Sequence, residues 1–295
     1  MKLSEAIDVE AFLSEARRLV DRLLDRYLPP ADVEPKSLHA AMRYSVMAPG
    51  KRLRPILALA AYNYCGGESE SERSVIHLAA AALEMVHTYS LIHDDLPCMD
   101  DDDLRRGMPT CHKKFGEAVA VLAGDALHDL AFQLMAQTGS IDGVRELALA
   151  IGTAGMIGGQ MADVEAEGRE VTREEILSIH SRKTAALIRC AVRIGALLAE
   201  ADGQNLALLS RFGEKVGLAF QVIDDILDIE GDQKTLGKNT GSDRKKQKAT
   251  YPKAVGLEPA RRDAGLLIDE AVSLFDKHDD NMLKHLALFI GQRRC

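Results

Sequence analysis

Three long segments of the sequence, 75–93, 118–136 and 206–230, carry apolar residues around most of a helical circumference. A helix with so wide an apolar surface has to be covered by other elements. Alternating strand patterns are nearly absent, and Leu and Ala supply most of the apolar content. Helical periodicity therefore predicts an all-α fold in which these three helices form the interior.

Residues that begin and end helices indicate how the rest of the chain is arranged. A capping box at Thr172 and Glu175 predicts the start of a helix that runs to about residue 201. No repeat and no linker divides the sequence, so we expect a single domain over residues 1–295, a bundle of roughly ten or more helices. The other expected helices are 8–28, 37–47, 56–64, 142–167 and 251–295.

Composition excludes several classes of protein. The net charge of −8 argues against a general nucleic-acid binder and against a basic membrane-surface protein. Five cysteines without a CxxC pair indicate reduced thiols and a cytoplasmic location. The acidic N-terminus lacks the apolar region of a signal peptide. Uncharged stretches such as 147–162 are shorter than the about 20 residues of a membrane span, so none is expected.

The helix at 218–231 carries one narrow polar stripe. Gln221, Asp224, Asp225 and Asp228 stand at i, i+3, i+4 and i+7, which is one helical face, and Val, Ile and Leu cover the rest. A solvated acidic face is the alternative interpretation, but a helix this apolar is expected to be buried. Buried carboxylates require a cation, and a group of them suits a hard divalent ion.

A second acidic cluster, HDDLPCMDDDDLRRG at 93–107, ends the apolar helix 75–93. Asp94 and Asp100 are six residues apart, which is about 120° off a common face in a straight helix. Pro97 removes a backbone donor between them. We therefore expect the helix to bulge or end there, so that the two carboxylates converge.

Basic residues accompany both acidic clusters. Carboxylates that hold Mg²⁺, flanked by Lys and Arg, form a clamp for a diphosphate. The sequence contains no phosphate-loop motif GxxxxGK[ST], no HExxH and no GxSxG. The bases are Lys51, Arg52, Arg54, Arg105, Arg106, Lys183, Lys234, Lys238, Lys245, Lys246 and Lys248.

Five motifs resemble, in order, those of the trans-isoprenyl diphosphate synthases. They are GKRLRP at 50–55, EMVHTYSLIHDDLPCMDDDDLRRG at 84–107, RKTAAL at 182–187, FQVIDDILD at 220–228 and KATYP at 248–252. The spacing DDxxxxD is similar to that of bacterial farnesyl diphosphate synthases and of plant geranylgeranyl diphosphate synthases. The resemblance implies an all-α bundle of the isoprenoid synthase type around a deep central cavity, assembled as a homodimer.

The resemblance also implies a reaction. An allylic diphosphate, dimethylallyl or geranyl, ionises to an allylic cation, isopentenyl diphosphate attacks through its double bond, and a proton is lost. The cofactor implied is Mg²⁺, with three ions per active site, and the small-molecule partners are isoprenyl diphosphates. Metal and bases stabilise the leaving group, and the apolar cavity keeps water from the cation.

The family's functional residues map onto this sequence motif by motif. Metal ligands are expected at Asp94, Asp100 and Asp224, supported by Asp95, Asp225 and Asp228. The allylic diphosphate is expected at Arg105, Lys183, Lys238 and Lys248, with Thr184, the Lys183 carbonyl and Gln221 facing the cation. Isopentenyl diphosphate is expected at Lys51, Arg54, His87 and Arg106.

Product length is expected to depend on the residues four and five positions before Asp94, namely Ser90 and Tyr89. They lie about 6–7.5 Å along the helix axis, facing the cavity. In the family, an aromatic residue at Tyr89 goes with a fifteen-carbon product, so we predict farnesyl diphosphate. A purely core role for Tyr89 is the other interpretation.

Several alternative functions stay open. A geranyl or geranylgeranyl diphosphate synthase would share every motif. A non-catalytic subunit of a heteromeric synthase typically lacks one aspartate motif, and both are present here. A terpene cyclase needs no second diphosphate site, and an acidic structural or calcium-buffer protein needs no such bases. The polar, basic composition of 231–250 suggests a mobile lid.

Overall fold

The computed structural model describes residues 8–69, 74–230, 248–276 and 280–292, and these residues form an all-α fold, as predicted. One short β-hairpin interrupts the helices, with β1 at Leu104–Arg105 and β2 at Met108–Pro109. The helices are α1 (Val9–Tyr27), α2 (Lys36–Val46), α3 (Leu53–Tyr64), α4 (Val75–Asp94), α5 (Cys111–Phe115), α6 (Glu117–Gln137), α7 (Ile141–Ile151), α8 (Met156–Glu165), α9 (Arg173–His180), a π-helical segment (Ser181–Ala185), α10 (Ala186–Leu198), α11 (Gly203–Glu230), α12 (Tyr251–Val255), α13 (Leu257–Ser273) and α14 (Met282–Gly291).

Side-chain caps begin several helices. Asp8 accepts a hydrogen bond from the Ala11 amide at the start of α1. The predicted capping box at Thr172 and Glu175 is confirmed, with both reciprocal hydrogen bonds present. Such caps satisfy backbone donors that the first helical turn leaves without a partner.

Two hydrophobic clusters fill the interior. One surrounds α4 and includes residues of α1, α2, α6, α7 and α10. The other surrounds α11 and includes residues of α3, α9, α10, α13 and α14. Because α3 and α10 pack against each other and each also packs against α4, they link the two clusters. The interior position predicted for the apolar helices is thus observed for α4 and α11.

Three segments are long and apolar enough to cross a membrane by length and composition alone, namely Val75–Asp94, Glu117–Gln137 and Ile141–Glu165. A search for uninterrupted uncharged stretches did not identify all of them, because a helix such as α4 contains a charged residue, Glu84, within its apolar sequence. In α4 the apolar window is 72% buried within the fold, which is typical of a core helix. The other two windows are each 39% buried. The absence of a membrane span stays a prediction.

Three local predictions were wrong. The helix expected over 142–167 is two helices, because Gly152 and Gly155 adopt non-helical conformations that separate α7 from α8. The helix expected from 172 to 201 contains the π-helical segment, and a continuous helix over 251–295 is not observed because Gly256 separates α12 from α13. Helix periodicity does not register single-turn changes of this kind.

Candidate active site

The first acidic motif follows directly from the end of α4. That helix stops at Asp94, and the chain turns back so that the Asp100 amide donates a hydrogen bond to the Asp94 carbonyl at 2.8 Å. The turn brings the two residues together, as the i, i+6 spacing around Pro97 predicted. Burial raises the pKa of Asp94, Lys183 lowers it, and Asp100 raises it further. Two carboxylates therefore share one partly buried position at the end of a core helix.

Asp95 has a different partner from its neighbour. Arg105 Nε donates to both Asp95 oxygens, at 2.7 and 2.9 Å, and its Nη2 lies 2.5 Å from Oδ1. Burial lowers the pKa of Arg105, but the hydrogen bonds to Asp95 raise it overall. The hairpin β1–β2, which the sequence reasoning missed, orients this arginine, and its turn carries Arg106 and Gly107 at positive φ. Asp95 thus anchors the hairpin to the end of α4.

The second acidic motif lies on α11. Gln221, Asp224 and Asp228 are half-buried, whereas Asp225 is buried. Asp225 accepts hydrogen bonds from Gln221 Nε2 at 2.8 Å and from the Tyr251 amide at 2.7 Å. Asp225 also lies 3.3 Å from His180 Nε2. Asp225 therefore joins α11 to α12, since it binds the first amide of that helix, and its support of a metal site stays a prediction.

The π-helical segment carries the next two predicted residues. The Thr184 hydroxyl donates to Gln221 Oε1 at 2.7 Å, so the oxygens expected near the cation lie together. Lys183 Nζ lies 2.5 Å from Asp163 Oδ2 on α8. Sequence reasoning missed Asp163, although it is the first charged residue after the uncharged stretch 147–162.

Lys248 connects the two acidic motifs. Its Nζ lies 2.8 Å from Asp100 Oδ1, and it precedes Tyr251, whose amide Asp225 binds. The short segment from 248 to 251 therefore runs from one acidic motif to the other. Lys238, and most of the proposed lid, lie outside the described residues.

The residues expected at the second diphosphate range from buried (Arg54) through half-buried (His87 and Arg106) to exposed (Lys51). Burial lowers the pKa of Arg54 to about 10, opposed by Glu84 and Asp224. Arg54 Nε is buried without a hydrogen-bond partner among the described residues. Burial, followed by the charges of Arg54 and Arg106, holds the pKa of His87 well below 6.5. His87 is therefore neutral beside the guanidinium groups of Arg54 and Arg106. Lys51 is exposed next to this group.

Tyr89 lies in an aromatic cluster beneath the first motif. It is 7% exposed, and its ring makes edge-to-face contacts with His128 at 5.2 Å and His93 at 5.8 Å. Burial and the Asp94 charge raise its pKa to about 12. His128 in turn contacts Phe132 at 5.0 Å. The two α6 residues were not predicted, because their contact with α4 is purely tertiary. The Ser90 hydroxyl donates to the His87 carbonyl at 2.9 Å.

The carboxylates of the two acidic motifs suit an Mg²⁺ ion that is also bound by substrate phosphates better than they suit a metal ion bound by protein side chains alone. Among the described residues, no group of three or more His, Cys, Asp or Glu side chains could hold a metal ion. Mg²⁺ is typically bound by one or two carboxylates together with substrate phosphates. Asp94 and Asp100 on one motif and Asp224 on the other carry carboxylate oxygens of the kind that Mg²⁺ prefers.

A separate cleft of about 390 Å³ lies between α2, α4 and the hairpin. Asp95, Arg105 and Arg106 line one side of it, together with Tyr44 and Thr88. None of its lining residues comes from α8 or α11. The cleft therefore adjoins the first acidic motif but is not the space between the two motifs.

Comparison with known proteins agrees with this geometry. The Polyprenyl synthetase family model matches residues 35–288. The chain is 48% identical to the farnesyl diphosphate synthase of Bacillus subtilis, covering 90% of each protein. It is 44% identical to a heterodimeric geranylgeranyl pyrophosphate synthase large subunit of Arabidopsis thaliana, over 98% of this chain and 80% of that one. A geranyltransferase structure from Helicobacter pylori, complexed with magnesium and isoprenyl diphosphate, has a TM-score of 0.83 at 32% identity and covers 98% of each chain. The chain therefore belongs to the polyprenyl synthetase family and is a prenyltransferase.

Proposed function

We propose that this protein is an Mg²⁺-dependent farnesyl diphosphate synthase, which condenses isopentenyl diphosphate with dimethylallyl and geranyl diphosphates. The observation that carries the proposal is the Lys248–Asp100 ion pair, since the segment from Lys248 leads to the amide that Asp225 binds. Two acidic motifs joined in this way suit a diphosphate clamp. The 48% identity to a farnesyl diphosphate synthase supports the same reaction.

The chain's own residues bind and orient the two substrates. Asp94, Asp100 and Asp224 would hold Mg²⁺, and when bound it supplies Lewis-acid stabilisation of the charge on the leaving diphosphate. Three ions per site are proposed from the family. Arg105, Lys183 and Lys248 bind the allylic diphosphate, with Lys238 as a further proposed contact. Lys51, Arg54, His87 and Arg106 bind isopentenyl diphosphate.

Oxygen atoms stabilise the allylic cation. The Thr184 hydroxyl and Gln221 Oε1 are 2.7 Å apart, and the amide of Gln221 is oriented by its second hydrogen bond, to Asp225. Preoriented dipoles of this kind stabilise charge that develops during a reaction. Breakage of the allylic carbon–oxygen bond, attack by the alkene and loss of a proton to the departing diphosphate complete the step.

Tyr89 sets the proposed chain length. Its ring is held by edge-to-face contacts with His128 and His93. In this proposal the ring is the rigid floor of the pocket that holds the growing hydrocarbon chain. A geranylgeranyl product is the second candidate, favoured by the 44% identity to a geranylgeranyl synthase subunit. Geranyl diphosphate as the product is a third possibility for the same site.

We also propose that the protein is a homodimer in the cytoplasm. More than half of the exposed large hydrophobic side chains in the described residues lie between 121 and 164, a span that includes most of α6, α7 and α8. Exposed apolar surface of this kind is typical of an interface. Sedimentation velocity tests the dimer, and a monomer at micromolar concentration would contradict it. The proposed location is consistent with the four free cysteines of the described residues.

The decisive experiment is condensation by the purified protein. Labelled isopentenyl diphosphate is incubated with dimethylallyl or geranyl diphosphate, with Mg²⁺ and with a chelator, and products are separated by chain length. We expect Mg²⁺-dependent farnesyl diphosphate. No product from the protein alone would favour a non-catalytic subunit, and a twenty-carbon product would favour the geranylgeranyl alternative.

A further inference from the structure

Glu84 is a buried carboxylate that the proposed reaction does not use. It lies on α4, is 1% exposed, and its Oε1 lies 2.9 Å from Arg52 Nη1. Asp95 stands eleven residues later, directly after α4, on nearly the same helical face about three turns away. Each of these carboxylates holds one arginine from outside α4, because Asp95 binds Arg105 of β1 as described above. Glu84 is therefore the counterpart of Asp95 about three turns nearer the start of α4.

Arg52 ties a loop to two helices. Its Nε donates to Asp21 on α1 at 2.9 Å, Nη1 to Glu84, and Nη2 to the Ala48 carbonyl at 3.1 Å. Arg52 also adopts a left-handed backbone conformation, with φ of 52°, directly before α3. Such a conformation persists in a non-glycine residue only where its surroundings hold it. The position of Arg54, the second residue of α3, depends on this turn.

Arg106 belongs to the same group of charged side chains as Glu84 and Arg52. A Cβ atom at Gly50 would lie 2.6 Å from Arg106 Nη1 and 3.2 Å from Arg52 Nη1, so both guanidinium groups lie against this glycine. Burial acts to lower the pKa of Arg52, of Arg54 and of Arg106, and the negative charge of Glu84 opposes that lowering in each case, so it acts on all three. Without it, these guanidinium groups would repel one another at close range.

We propose that Glu84 is a positioning residue for the isopentenyl diphosphate subsite, which it organises by holding Arg52 and keeping Arg54 and Arg106 together. This inference rests on the proposed function, because it assigns that subsite to a diphosphate. A positioning role and simple electrostatics predict opposite effects on anion binding when Glu84 is neutralised. A negative charge near an anion site weakens anion binding, so electrostatics alone predicts tighter binding when Glu84 is neutralised. Positioning predicts weaker binding, because a displaced donor loses much of its effect.

The test uses two variants of the full chain. Glu84→Gln removes the charge, and the double variant Arg52→Met with Glu84→Met removes the ion pair without changing net charge. The double variant also keeps the test valid if Glu84→Gln fails to fold, because a buried ion pair replaced by apolar residues often retains stability. The matched control is Glu146→Gln, which breaks a 2.7 Å ion pair with Arg193 between α7 and α10. Thermal melts identify the variants that are folded.

Steady-state kinetics then separate the two substrates. We expect KM for isopentenyl diphosphate to rise about tenfold or more in the Glu84 variants. KM for geranyl diphosphate should stay within about twofold, and the control should match the wild type. An unchanged or lower KM for isopentenyl diphosphate in the folded variants would overturn the inference.

A binding measurement keeps this inference distinct from the proposed function. Inorganic pyrophosphate is titrated calorimetrically into each protein without Mg²⁺, so no turnover is required. Weaker binding to Glu84→Gln than to the wild type supports the positioning role even if the wild type fails to condense substrates. Equal or tighter binding to the variant, or no binding to the wild type, would overturn it.

Discussion

Replacing Gly159 with alanine should impair the reaction through a single steric contact. Gly159 is buried on α8, and a Cβ atom there would lie 2.2 Å from the Lys183 amide nitrogen and 2.6 Å from its Cα. Ordinary contact begins at 3.4 Å, so the π-helical backbone would have to retreat by 3.4 − 2.2, or about 1.2 Å. The neighbouring atoms are backbone, which cannot rotate away. The displaced segment carries Lys183 and Thr184.

The magnitude follows from that displacement. A misplacement of about 1 Å can lower a rate by about 10²-fold, equivalent to about 2.7 kcal/mol of transition-state stabilisation. Overpacking of a buried site costs about 1–3 kcal/mol of folding stability. We therefore expect kcat/KM for geranyl diphosphate to fall about 100-fold while the variant stays folded at 25 °C. KM for isopentenyl diphosphate should change little, because the subsite proposed for it lies on α3, α4 and the hairpin.

The assay is steady-state condensation with a circular-dichroism melt of each protein. Gly265→Ala is the matched control. Gly265 lies in a helix, as Gly159 does, but it is exposed, and no atom lies within 4 Å of an added Cβ. The control should be as active as the wild type and more stable by up to about 1 kcal/mol. Wild-type kcat/KM in Gly159→Ala would refute the steric argument.

Four further predictions concern separate parts of the molecule. Tyr89→Ala should shift the product from fifteen to twenty carbons, read by chromatography of labelled products; unchanged products would exclude Tyr89 as the floor. Asp225→Ala should lower the unfolding free energy in urea by about 1–3 kcal/mol, because the Tyr251 amide and the Gln221 amide lose their acceptor; an unchanged midpoint would contradict this. Chelation of Mg²⁺ should abolish condensation and leave the thermal midpoint unchanged, since the carboxylates alone form no metal cage in the described residues; activity in the presence of the chelator would contradict the metal assignment. His87 has a lowered pKa in the folded state, so the unfolded chain binds its proton first and stability falls as pH drops below about 6.5. His87→Gln should reduce that slope by up to one proton, or about 1.4 kcal/mol per pH unit, and an identical slope in both proteins would refute it.

The all-α fold and the position of the acidic motifs could be predicted because both depend on local chemistry. Periodicity along one helix decides which face is apolar, and it indicated the half-buried stripe of Gln221, Asp224 and Asp228. Pro97 likewise predicted that Asp94 and Asp100 would meet. The glycine break between α7 and α8 and the π-helical segment escaped prediction, because one altered turn leaves the surrounding pattern of apolar residues intact.

The pairing of the charged side chains could not be predicted, because it depends on how the helices pack. Asp94 and Asp95 are adjacent in the sequence, yet one faces Asp100 and the other binds Arg105, because successive side chains on a helix point in different directions. The pairs Lys183–Asp163 and Arg52–Glu84 join residues from different helices and loops, and their geometry depends on packing between elements distant in the chain. The kind of chemistry could be predicted from the residue types and their helical spacing. The tertiary structure decided the partners, because a carboxylate's function depends on the atoms within about 4 Å of it.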